Sequence, residues 1–83
     1  FILNSNISKI EMTNIAKSTL DYIKESVRNK NISGNYNDTE TINDYEIRKI
    51  VEEDEYYYKC YKIVIEVKKK EQIRRLESYV LQQ

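Results

Sequence analysis

The chain contains no proline and a single glycine, Gly34, so almost nothing in it obliges the backbone to kink or stop. Between residues 5 and 30 neither residue occurs and helix-compatible side chains dominate, which predicts one long helix of about seven turns within residues 1–30. Its apolar residues do not form one stripe. At about 100° per residue, Leu3, Ile7 and Ile10 fall on one side, whereas Met12, Ala16, Leu20, Ile23 and Val27 fall on another. A helix serving only one core would keep one stripe. The second half is therefore expected to pack on its own domain and the first half on something else; a frayed, exposed end is the plainer alternative.

Residues 31–44 carry few large apolar side chains and many Asn, Asp, Thr and Ser, which bond locally to the backbone and favour turns. They read as a loop. Beyond it, residues 45–83 read as a small antiparallel sheet. Tyr45, Ile47 and Val51 share one face of a first strand, with Arg48 pointing out and Glu52, Glu53, Asp54 and Glu55 forming the turn. Residues 56–68 alternate, with Tyr61, Ile63, Ile65 and Val67 on one side and Lys62, Val64, Glu66 and Lys68 on the other. In residues 72–81, Ile73, Leu76 and Val80 also suit a helix, so pattern alone leaves the choice open. A hairpin needs a further strand to make a stable sheet, which favours a third strand there. The expected architecture is one α+β domain, a long helix on about three antiparallel strands.

Composition narrows the chemistry. There is no His, the usual general base and transition-metal ligand. With one glycine, no glycine-rich phosphate loop can be written. The 14 basic and 14 acidic residues cancel, so no long-range field draws in nucleic acid or anionic lipid. No run of about 18 apolar residues spans a membrane. An 83-residue domain with one cysteine, Cys60, has no internal disulfide to lean on, and its small core makes partners an expectation. No cofactor and no enzymatic activity are expected.

Three segments carry a family resemblance. Asn14-Ile15-Ala16-Lys17-Ser18-Thr19-Leu20-Asp21-Tyr22-Ile23 is similar to the "N-x-A-x-x-x-L-x-x-I" stretch late in the long helix of minor type IV pilins. Tyr61-Lys62-Ile63-Val64-Ile65-Glu66-Val67 resembles their "Y-x-I-x-V-x-V" strand, and Leu76-Glu77-Ser78-Tyr79-Val80 the closing "L-x-x-Y-V" strand of the group related to type II secretion minor pseudopilin I and the pilin V type. The resemblance implies a pilin-like fold and a structural subunit that helps initiate or cap a type IV pilus or a type II secretion-like filament at the bacterial surface. Its partners would be other minor pilins and the major pilin. Mature pilins carry Glu at the fifth position, where this chain has Ser5. Phe1 therefore reads as the trailing end of a hydrophobic half-helix, and the membrane anchor is expected upstream of it. The residues expected to meet neighbouring subunits are Leu3, Ile7, Ile10 and Ile15. The rival reading is a small scaffold or regulatory protein that binds a partner through its helix.

Other constellations have bland alternatives. Glu52 to Glu55 could attract Ca²⁺, but four adjacent acids without ligand spacing are more often a solvated hairpin tip. Lys68, Lys69, Lys70, Arg74 and Arg75 beside Tyr79 could touch phosphates, yet the interspersed Glu71 and Glu77 suit an ordinary charged surface. Tyr56, Tyr57 and Tyr58 would place rings on both faces of a strand, either as an adhesive surface or between two covered faces. Cys60 lacks a cationic neighbourhood to activate it. The Asn-x-Ser/Thr triplets at Asn6, Asn31 and Asn37 arise readily by chance in so Asn-rich a chain.

Overall fold

In the computed structural model, which describes the backbone of residues 2–82 and the side chains of residues 8–82, the glycine-free N-terminal stretch forms a single helix, α1 (Ile2–Arg28). Its sequence is rich in Ser, Asn, Thr and Ile, none a strong helix former, so docking rather than propensity must hold it. Met12, Ala16, Ile23 and Val27 recur at intervals of three and four and are buried. Ala16 has no accessible surface, and its short side chain lets the helix axis sit close to the sheet. Leu20, expected in the same stripe, is only half-buried, because its direction lies about 50° from the middle of the stripe.

The helix closes with a Schellman arrangement. Asn31 N–H donates to the Ser26 carbonyl (2.9 Å) and Lys30 N–H to the Val27 carbonyl (3.1 Å). The left-handed residue this requires is Lys30 (φ 64°) rather than glycine. Gln82 Nε2 donates to the Val27 carbonyl (3.0 Å) and to that of Ile32 (3.3 Å), so the far end of the chain helps satisfy the helix's last carbonyls.

Four strands follow: β1 (Tyr36–Ile42), β2 (Tyr45–Glu53), β3 (Cys60–Lys69) and β4 (Gln72–Leu81). They form an antiparallel meander in chain order. The fold is α+β with one N-terminal helix packed on a four-stranded antiparallel sheet.

The fourth strand corrects the reading of residues 31–44 as loop. Within it, Tyr36, Asp38, Glu40 and Ile42 alternate with Asn37, Thr39 and Thr41, and β1 pairs with β2 from Tyr36↔Val51 to Ile42↔Tyr45. The segment is polar because it is an edge strand, and helix α1 packs on β3 and β4 rather than over it. Asn43 and Asp44 both have positive φ (49° and 69°), the requirement of a two-residue type I′ hairpin turn.

Residues 72–81 are a strand, as the need for another strand suggested. Leu76 and Val80 turn toward the helix, while Ile73, at odd parity with them, faces the opposite side. The β2–β3 connection lies later than expected. β2 runs through Glu53, and residues 54–59 make the turn, so Tyr56, Tyr57 and Tyr58 stand exposed in a loop instead of lining a strand. Asp54 Oδ1 organises that loop by accepting from the amides of Tyr56 (2.7 Å) and Tyr57 (3.0 Å), a side-chain turn that ends β2.

The core lies between α1 and the inner face of the sheet. Tyr45, Ile47, Val51, Tyr61, Ile63, Ile65 and Val67 supply the strand side, as the alternation predicted. The outer face is wet except at Val64, which is 3% exposed. It sits between Ile50 and Glu77 on the neighbouring strands, on a face where Lys62 pairs with Glu77 (3.0 Å) and Arg48 with Glu66 (3.8 Å). The stems of these long charged side chains shield it.

Candidate functional site

The change of stripe along α1 is the feature from which a contact site can be built. The first buried residue among the described side chains of α1 is Met12, and Ile10 points about 130° from the middle of the buried stripe and is 59% exposed. Leu3 and Ile7, assigned to the same surface, have side chains outside the described residues. Ile15, the fourth residue of that set, lies apart from Ile10. It is half-buried and packs against the domain's own core, because it flanks the buried stripe by about 60°.

Beside Ile10 an open groove of about 610 Å³ runs between the helix and the start of β4. Lys9, Ile10 and Thr13 form one wall, and the start of β4, Gln72 to Arg74, forms the other. Ile10 and Met12 give it apolar surface, and Lys9 and Arg74 set cationic groups on its two sides. No ion pair is formed by Lys9 or Arg74 among the described residues.

On the opposite flank, polar contacts tie the helix to β2 and β2 to β1. Tyr45 Oη donates to Glu11 Oε2 at 2.6 Å, and Lys69 Nζ stands 5.0 Å from the centre of the Tyr45 ring. The hydrogen bond to Glu11, with burial second, raises the Tyr45 phenol above its ordinary value. Two inward-facing positions along β2, Lys49 points to the inner face with its side chain 13% exposed, contacting Glu40 at 2.6 Å and Asp38 at 3.6 Å. Its ammonium is also raised, first by the bond to Glu40 and against the pull of burial.

The other constellations separate. The basic run at 68–75 is split by the pleat and the turn: Lys69 covers Tyr45, Arg75 pairs with Glu77 (3.7 Å), and Arg74 faces the groove. The acidic run at 52–55 divides between the end of β2 and the turn, with Asp54 occupied by backbone amides. Cys60 is a half-buried free thiol at the start of β3.

Sequence reasoning missed Lys49, whose position in the Tyr45, Ile47, Lys49, Val51 alternation marked it as inward-facing. It also missed the acids of β1, hidden because that segment was read as loop. No helix among the described residues is long and apolar enough to cross a membrane. Compared with protein-family models, curated proteins and solved structures, the chain matches none.

Proposed function

We propose that this domain is a non-enzymatic structural subunit of the minor pilin or pseudopilin kind, which helps initiate or cap a type IV pilus or a type II secretion-like filament. The observation that carries the reading is Ile10, a large apolar side chain 59% exposed on a helix whose first buried residue among the described side chains is Met12. By helical angle Ile10 continues the apolar side to which the sequence assigns Leu3 and Ile7, a contiguous apolar patch on a small domain marks a contact site, and a helix that offers one side to its own sheet and another outward is what helix-to-helix assembly uses.

In this reading Leu3, Ile7 and Ile10, with Ile15 at the margin, meet other minor pilins and the major pilin, and no cofactor takes part. An apolar segment upstream of Phe1 anchors the subunit in the membrane before assembly at the cell surface. The helix on an antiparallel sheet supports the proposal, together with the quoted helix and strand segments.

The test replaces Ile7 and Ile10 together with Ser. The isolated domain is expected to keep its melting temperature, while the same substitutions in the gene with its natural upstream sequence reduce recovery of the subunit with sibling pilins in sheared filaments. Unfolding of the isolated variant, or normal incorporation in cells, rejects the assignment. The sequence upstream of Phe1 separates this reading from a scaffold protein: a prepilin leader followed by about 20 apolar residues supports a pilin, and a polar extension supports the scaffold.

A further inference from the structure

The β4 edge combines three properties that the β1 edge lacks. It is long, running ten residues from Gln72 to Leu81. Its outer face carries three large apolar side chains in water, Ile73, Tyr79 and Leu81, exposed at 60%, 57% and 65%. On its inner side the core is left partly open, since Leu76 and Leu20 are each only half-buried. An exposed edge of this kind presents free backbone donors and acceptors to another strand.

The register shows which of those backbone groups are free. Lys69 pairs with Gln72 across a two-residue turn, which makes them a hydrogen-bonded pair. By alternation the amides and carbonyls of Ile73, Arg75, Glu77 and Tyr79 point away from β3. The side chains of these same residues lie on the outer face.

We infer that β4 pairs with β4 of a second copy of this chain, antiparallel about a two-fold axis at Leu76, joining two four-stranded sheets into one. In that register Arg75 and Glu77, which also pair with each other within one strand, stand opposite Glu77 and Arg75 of the second copy, extending the ion pairs across the seam, and Ile73 stands opposite Tyr79; each pair occurs twice. On the inner face Leu76 meets its own equivalent and its burial is completed. Opposite charges and an aliphatic residue against an aromatic one are the favourable cross-strand pairs. Each helix rests on β3 and β4, so with strands about 4.8 Å apart the two helices come about 10 Å apart, an ordinary helix packing distance. Leu20 lies on the flank that closes.

The β1 edge fits β4 less well. It is three residues shorter, and its outer-face residues, Asn37, Thr39 and Thr41, carry no charge to set against Arg75 or Glu77. Two β1 edges would set like charges against each other. The pairing stands independently of the filament reading, because it uses β4 rather than the first helical turns.

Sedimentation of the purified chain at high micromolar concentration tests it, and a species of twice the 10.0 kDa chain mass is expected. Arg75→Glu places acid against Glu77 of the second copy and should raise the dimer dissociation constant at least tenfold. The double exchange Arg75→Glu/Glu77→Arg restores the pairs and should recover the dimer. Both positions are exposed, and a thermal melt confirms that each variant is folded. A monomeric wild type, a dimer indifferent to Arg75→Glu, or open-ended growth with concentration overturns the inference.

Discussion

The two edges of the sheet are built from different materials. β1 is short and polar, and its inward-facing acids are neutralised by one nearly buried cation, Lys49. β4 is longer, lies beneath the helix, and leaves Ile73, Tyr79 and Leu81 in water. Charges on an edge discourage further pairing, and apolar side chains on one invite it. A single helix is too narrow to cover four strands, so this fold must finish one side of its core with something other than helix. The chain uses an ion cluster on the β1 side and leaves the β4 side half-closed.

The comparison breaks most visibly if the centre and the β1 edge are truncated in parallel. Ile63, on β3 under the helix, has no accessible surface, and replacing it by Ala should cost about 2–5 kcal/mol through lost burial and a cavity. Ile42, at the end of β1, is exposed, and the same replacement should change stability by no more than about 0.5 kcal/mol. Urea midpoints of the two variants measure the difference. Equal losses would mean that β1 belongs to the core after all.

Much of the centre was legible in the sequence, because strict alternation at Tyr61, Ile63, Ile65 and Val67 has only one economical reading beside an apolar helix stripe. The edges were not. β1 buries almost nothing, so hydrophobic periodicity, the strongest sequence signal, is missing from it. Its mark was chemical instead: Asn43-Asp44, a pair suited to a type I′ turn, placed before Tyr45. The extent of the β2–β3 turn was missed for a related reason, since three consecutive tyrosines have strand propensity but Asp54 captures their backbone amides locally. Of the contact surface, the exposure of Ile10 was legible from helical angle. The groove beside it was not, because Ile73 and Arg74 reach it only through the path of the chain.

A smaller effect sharpens the account of the β1 side. Tyr45 and Lys49 both titrate above their ordinary values of 10.0 and 10.5 in the folded chain. The unfolded chain therefore releases these protons first as pH rises. Their contribution is complete below about pH 10 and is lost as pH climbs through the folded values. The melting temperature should hold steady through neutral pH and then fall in alkali. Glu40→Gln removes the main cause of the Lys49 shift, and Tyr45→Phe removes the phenol altogether, so each should flatten part of that fall. An unchanged alkaline slope in both variants would show that neither the Tyr45–Glu11 tie to the helix nor the Lys49–Glu40 tie to β1 contributes to stability.

The smallest expected change has the opposite sign and tests where the helix ends. Lys30 holds the left-handed position of the helix-terminating motif at φ 64°, where a side chain bearing Cβ is strained and glycine is not. The hydrogen bonds around it come from backbone, from Lys30 N–H to Val27 and from Asn31 N–H to Ser26, so none depends on the lysine side chain. Lys30→Gly should stabilise the domain: relief of the strain exceeds the added flexibility of the unfolded chain, for a net gain of up to about 1 kcal/mol. The Gln82 bonds to Val27 and Ile32 are expected to persist, since they use carbonyls that the substitution leaves in place. A lower melting temperature in the glycine variant would mean that the helix does not stop at Arg28 in solution, and that the link from its last turn to the end of β4 is not what fixes the helix on the β4 side.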